Sequence, residues 1–470
     1  MRASSASARL AVAAAALAAG ACQHARPPSV SAPAALPTPA PAEPPAPVAP
    51  PLAIVHAQLW TADARGTRVA DGTLLIRDGR IAALGAGVAV PAGVAVVDAG
   101  GHVVTPGLID AHSHMGVYAN PEVAAHADGN EATSPVTAEV SAEHGFWPQD
   151  PALTRAAAAG VTSMLILPGS ANLIGGRGFS IKNRPARSAA GMRFPGAPPV
   201  LKMACGENPK RVYGKKNGPS TRMGNVAQVR GAFLAAQDYG RKWDVWEKRT
   251  RARGEPPPPR DLKLETLLEV MRGHILVENH CYRADEMLLM LDVAAEMGFS
   301  IRAFHHALEA YKIADVLARR GVAVATWADW WGFKLEAFDG IPENLALVQA
   351  AGGRPIVHSD SPTFAQRLNQ AAAQGLAVGR AMGLTLGEDD ALRWVTINPA
   401  WAMGVDRLTG SLETGKMADV VIWSGSPFSI YSHPEKVFVD GQLVFDHARD
   451  GGRERPADFE LGILPPAGAP

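Results

Sequence analysis

The chain has 470 residues, enough for one large domain and a smaller one, and its 47% hydrophobic content allows a sizeable core. Lysine plus arginine and aspartate plus glutamate both number 45, and no long basic run occurs, so nothing in the charge balance points to nucleic acid. Cys22, Cys205 and Cys281, the three cysteines, are too few for a disulfide framework.

Residues 1–22 read as a targeting segment. Arg2 and Arg9 supply positive charge, Leu10 to Ala21 is apolar, and Ala19-Gly20-Ala21 precedes Cys22. Small residues before a cysteine resemble a bacterial lipoprotein signal, in which Cys22 becomes the lipidated first residue. The usual leucine three positions before the cysteine is absent, and Leu17 stands five before it, so an ordinary secretory signal is the alternative. The apolar run is too short for a transmembrane anchor. By analogy with bacterial lipoproteins, Gln23 rather than Asp after the cysteine favours the outer membrane, so the expected location is exported, either periplasmic or held at the outer membrane by a lipid anchor. Residues 23–52 are rich in Pro and Ala and read as an extended tether.

The next stretch is strand-like. Ala53-Ile54-Val55, Gly72 to Ile76 and Arg80 to Leu84 lie between Asp-Gly and Gly turns and read as β-hairpins, and Val94 to Val104 supplies more strand. The same texture returns at Gly415 to Trp423 and at Val437 to Val444, which turns at Asp440-Gly441. Between these ends, apolar runs at Val161–Leu167, Val200–Ala204, Ile275–Glu278, Ser300–Phe304, Val322–Thr326 and Pro355–Val357 alternate with helical stretches. Ala284–Met297 and Ala310–Arg320 are the clearest amphipathic helices. Such alternation argues a parallel α/β fold, and a length of roughly 300 residues fits a (β/α)8 barrel with its chemistry at the C-terminal ends of the strands.

The most informative stretch is Thr105-Pro106-Gly107-Leu108-Ile109-Asp110-Ala111-His112-Ser113-His114. Residues two apart on a strand share a face, so His112 and His114 aim at one point. That suits a divalent metal, which takes neutral imidazole nitrogen at ~2.0–2.1 Å. Polar residues recur where later strands end: His280, His305 and His306, and Asp360. Together with Gly410-Ser411-Leu412-Glu413-Thr414-Gly415-Lys416-Met417-Ala418-Asp419, these segments resemble the metal-dependent amidohydrolase superfamily. Ala204-Cys205-Gly206-Glu207-Asn208-Pro209-Lys210-Arg211-Val212-Tyr213-Gly214 resembles its imidazolonepropionase-like and Xaa-Pro dipeptidase-like branch.

The resemblance implies an α/β fold, a (β/α)8 TIM-like barrel over residues 106–404, with a small β-sandwich domain built from both chain ends, 53–105 and 405–450, and a tail at 451–470. It implies one or two divalent metals, zinc above all, held by His112, His114, His280, His306 and Asp360. His306 is preferred to His305 because His306-Ala307-Leu308-Glu309-Ala310 resembles the family's sixth strand segment. Two metals need an anion to hold them ~3.5–4 Å apart. Glu207 is the favoured bridge, and Lys202, if carbamylated, is the other candidate. Such a metal lowers the pKa of bound water to about 7, and Asp360 is the implied catalytic residue, taking the water's proton and returning it to the leaving amine. Arg177, Lys210 and Trp330 are candidates to hold substrate: Arg177 in a glycine-rich loop, Lys210 in a basic loop, Trp330 after strand seven.

The implied activity is hydrolysis of a C–N bond in a small molecule such as a dipeptide or N-acyl amino acid. Deamination or lactone opening is the alternative within the superfamily, and a catalytically dead, lipid-anchored binding protein is the alternative outside it. A homo-oligomer is compatible with all three.

Overall fold

The structure, a computed structural model, describes residues 48–450 apart from Asn217 and Trp331. The expectations for Cys22, for most of the tether and for the tail lie outside the described residues.

The N-terminal strands are β1 (Leu52–Trp60), β2 (Arg68–Arg77), β3 (Arg80–Gly85), β4 (Ala95–Asp98) and β5 (Val103–Pro106). Then come β6 (Leu108–Ser113), β7 (Val161–Ile166), β8 (Ile174–Lys182), β9 (Val200–Ala204), β10 (Leu276–Cys281), β11 (Ile301–His306), β12 (Ala323–Thr326) and β13 (Arg354–Val357). The last three are β14 (Val420–Trp423), β15 (Pro434–Val439) and β16 (Gln442–Asp446).

Both chain ends share one sheet, in the order β16-β15-β14-β5-β1-β2-β3, with β4 also paired to β1. The second sheet runs β6 to β13 in sequence order and forms a nearly closed barrel. Pro106-Gly107 is the hinge between them. Gly107 donates its N–H to Asp419 O at 2.9 Å, and a Cβ there would lie 2.0 Å from Thr162 Oγ1. Only glycine lets the two sheets approach this closely.

Strands β6, β7, β9 and β12 are buried along their whole length, as two covered faces require. Helix Ala284–Met297 shows why the covering works. Met287, Met290, Leu291 and Ala294 fall on its buried stripe, and Gly298 ends it in the left-handed region at φ 83°. Closure between β6 and β13 uses side chains. Asp110 accepts from Ser359 N at 3.1 Å and from Ser359 Oγ at 2.5 Å, and Asp360 N donates to His112 O at 3.0 Å. Those bonds set the first and last strand ends beside each other.

Two features depart from the sequence expectations. Strand β8 runs antiparallel to both β7 and β9, whereas every other pair in the barrel is parallel. Only Leu167 to Leu173 connects β7 to β8. A parallel return needs a crossover of a dozen or more residues, so a link this short enforces reversal. The glycine-rich segment read as a loop is the start of β8. Cys205 and Cys281 also form a disulfide, with Cα atoms 5.3 Å apart and a sequence separation of 76. Parallel pairing of Ala204 with His280 brings the following residues face to face.

The two domains are clasped by charge. Lys182, on β8, is fully buried and reaches Asp419 Oδ2 at 2.6 Å and Asp440 Oδ1 at 2.9 Å. Arg184 meets the other oxygen of Asp440 at 2.8 Å.

Candidate metal centre

His112 ends up fully buried and His114 opens to the cleft. The Leu167 carbonyl accepts from His114 Nδ1 at 2.7 Å. A carbonyl can only accept, so His114 carries its proton on Nδ1 and turns the Nε2 lone pair inward. That Nε2 lies 3.3 Å from His112 Nε2 and 3.0 Å from Asp360 Oδ1, which is itself 3.4 Å from His112 Nε2. Lys202 Nζ comes from β9 to within 3.2 Å of His112 Nε2.

His306 joins from β11, its Nδ1 3.9 Å from Asp360 Oδ2. The His280 ring lies 4.3 Å from the His306 ring, centre to centre. Both nitrogens of His280 and Nδ1 of His306 are buried without a hydrogen-bond partner. Tyr282 stacks on His306 at 4.9 Å and 8°, and Trp327 packs against the same ring at 4.7 Å. His306 and Asp360 have φ of 70° and 54°. Left-handed backbone at non-glycine residues costs of order 1–3 kcal/mol and clusters at functional sites.

Burial holds His112, His280 and His306 well below the usual histidine range, and neighbouring cationic charge, Lys202 among it, adds to this. All three are therefore neutral imidazoles. Burial brings the Lys202 amine down to about 8. Burial pushes Asp360 up, but its neighbours His114, His358 and Lys202 outweigh it and leave the carboxyl below its usual value. Among the described residues, ligand atoms converge within 4.8 Å in two sets: His112, His114 and Asp360, and His112, His306 and His358. Neutral imidazoles, a carboxylate and orphaned buried ring nitrogens fit a divalent cation, for which those atoms are the natural ligands. Beside His114 and Asp360 opens a cavity of about 400 Å³, also lined by Tyr118, Glu122, His126 and Pro362.

Not every residue proposed from sequence reaches this cluster. Glu207 does not. Gly206, at φ 81°, turns the chain at the end of β9, but the turn starts helix Glu207–Tyr213 and carries the carboxylate to the rim. There it pairs with Lys334 Nζ at 3.5 Å and remains a third exposed. Lys210 lies on the same rim helix, three residues further on. Arg177 pairs across the ladder with Leu201. Leu201 packs in the outer core, on the opposite face from Lys202, and Arg177 Nε is buried without a partner. Neither Arg177 nor Lys210 lines the cleft. Trp330 stacks on Trp327 at 5.1 Å, one ring removed from His306.

Several residues near the cluster escaped the sequence reading. Trp327 and Tyr282 each follow a strand end, the position that marked His280, and could have been found by that rule. Glu278 stands two before His280 on β10, so alternation alone places it on the inner face. Lys334 lies over the Tyr282 ring at 3.9 Å from a loop with no periodic signal.

Residues 307–444 match the profile named Amidohydrolase family. Amidohydrolase tasK from Hapsidospora irregularis is 38% identical over 379 residues, which cover 76% of this chain but only 38% of that protein's length. Imidazolonepropionase from Geobacillus thermodenitrificans is 24% identical over 402 residues, 75% of this chain and 84% of its own. The crystal structure of an amidohydrolase from Thermotoga maritima MSB8 superposes with a TM-score of 0.76 at 37% identity, covering 84% of this chain and 100% of that one. With that structure matched along its whole length, and with a cluster of histidines and an aspartate at the strand ends of a barrel, this chain belongs to the amidohydrolase family.

Proposed function

We propose that this hydrolase cleaves an amide or peptide-like C–N bond in a small molecule, with zinc as the expected cation at the histidine cluster. The observation that carries this reading is the convergence of His112, His114 and Asp360 beside the orphaned nitrogens of His280 and His306. A cation held by these residues supplies Lewis acidity for the scissile carbonyl and an acidified water. Asp360, ionised across the neutral range, takes the water's proton on a carboxylate oxygen and delivers it to the leaving nitrogen. Tyr282 and Trp327 wall off His306 from water, and the cavity beside His114 gives a small substrate room. Purified protein assayed on dipeptides, N-acyl amino acids, lactones and aminopurines tests the bond type. Turnover confined to lactones or aminopurines would replace the amide reading with lactonase or deaminase, and absence of any bound metal would favour a binding protein.

Lys202 takes the bridging role in this proposal, in place of Glu207. It is buried, it stands 3.2 Å from a ligand nitrogen, and its amine is acidic enough for a neutral fraction to react with CO₂. The expected outcome in Lys202→Ala is loss of one equivalent of metal and of most activity, partly restored by short carboxylic acids. Glu207→Ala should keep full metal content. Metal loss in Glu207→Ala with a full complement in Lys202→Ala would return the bridge to Glu207.

Cys22 is proposed as the site of lipidation, on the small residues before it and the Pro/Ala-rich stretch after it. Stable anchoring takes two acyl chains, since one gives only marginal binding. Wild type should therefore sediment with membranes and Cys22→Ala should not; identical partition into the soluble periplasm would leave simple secretion.

A further inference from the structure

Beneath the cluster lies a line of buried polar groups that the hydrolytic reading does not use. His112 Nδ1, on the side of the ring away from His114, is 3.0 Å from His305 Nδ1. His305 Nε2 is 2.8 Å from Glu278 Oε2. All three side chains are fully buried, so no water can replace a missing partner. His112 Nδ1 and both nitrogens of His305 each face one other atom in this line, so a proton fixed at one end fixes the order along the whole of it.

We propose that Glu278 and His305 are positioning residues that hold His112 in the single tautomer able to bind a cation through Nε2. The inference rests on the metal reading above and extends it to two residues outside the ligand set. A cation at His112 Nε2 needs the lone pair there, which puts the His112 proton on Nδ1. That N–H points at His305 Nδ1, which must accept it. A neutral His305 then carries its own proton on Nε2 and donates it to Glu278. Each step has one donor and one acceptor, and the line requires Glu278 to accept as a carboxylate although burial pushes its carboxyl well up, with the charges of Arg302 and Lys202 pulling the other way. Before it reacts with CO₂, Lys202 favours the same tautomer in the cation-free site, since an ammonium offers only donors to His112 Nε2. Neighbouring His305 and His306 therefore have distinct tasks. His305 faces Glu278 and His112, whereas His306 Nδ1 is left without a partner near Asp360.

Glu278→Gln tests this with little change of shape. A glutamine can present an N–H to His305 Nε2 and so permits the reversed line, with the proton of His112 on Nε2. The expected result is 10- to 100-fold weaker binding of Zn²⁺ in competition with a chelator, the range typical for lost partners of metal-ligating histidines. Nitrogen chemical shifts of the metal-free protein should move the His112 proton from Nδ1 toward Nε2. A merely structural role for Glu278 would leave that ratio unchanged. His305→Phe should weaken Zn²⁺ binding as well, and the double variant should bind no more weakly than the poorer single one, because both changes break one line. Wild-type Zn²⁺ affinity and an unchanged His112 tautomer in Glu278→Gln would overturn the relay. If Glu278→Gln does not fold, His305→Phe carries the same comparison. Should wild type itself bind no Zn²⁺, the metal reading fails; should wild type bind it and both variants bind it equally, the relay alone fails.

Discussion

Asp360→Asn is expected to abolish turnover, by roughly 10²–10⁴-fold or more, because an amide cannot take and return a proton. The fold should survive. Asp360 has φ of 54°, and asparagine, like aspartate, tolerates the left-handed region better than other non-glycine residues. Its tie to the first strand is a backbone bond, from Asp360 N to His112 O, which the substitution keeps. Some metal should be retained through the histidines, at lower affinity. The measurement is turnover alongside metal content and circular dichroism on one preparation. Activity close to wild type with metal retained would remove Asp360 from proton transfer and leave it a ligand only.

The second large effect concerns stability. Lys182→Met is expected to destabilise the protein by about 3–5 kcal/mol, the usual outcome when one partner of a buried ion pair is removed. Methionine fills most of the space but leaves Asp419 facing Asp440 with no cation between them. Asp419 is almost fully buried and Asp440 mostly so. Of the two aspartates Arg184 pairs with Asp440, so it does not compensate at Asp419. Because Lys182 sits on a barrel strand and the aspartates come from the C-terminal part of the other domain, the loss should appear as a lower denaturation midpoint. Neutralising the aspartates in the same background, with Asp419→Asn and Asp440→Asn, should recover part of it. An unchanged midpoint in Lys182→Met would show that the clasp contributes nothing net.

Val200–Ala204 reads from sequence as a strand with the bounds β9 has, and Ala284–Met297 reads as the helix it is. The helix carries a periodic apolar stripe, and the strand is a short apolar run buried on both faces. Strand β8 was missed because Gly175, Gly176 and Gly178 suppress strand propensity and imitate a turn. Its reversal compounds the difficulty, since strand-helix alternation has no place for a strand entered without a helix.

The sequence by itself determined which residue types stand at strand ends: His112, His114, His280, His306 and Asp360 are legible because the period of two and the strand boundary are both local properties. Asp419 was legible too, as part of a motif, but not its reason, which is a lysine 237 residues away. Only the tertiary structure shows where Lys202 and Glu207 lie relative to the cluster. Both stand near the end of β9, and what differs is which of them comes close to His112. A long side chain from inside the strand gets there, and a short one beyond the strand is turned to the rim by the helix it begins. The Cys205–Cys281 bond and the Glu278–His305–His112 line belong to the same class. Each joins residues whose separation along the chain carries no signal, and each exists because neighbouring strands close into one barrel and bring distant strand ends to the same level.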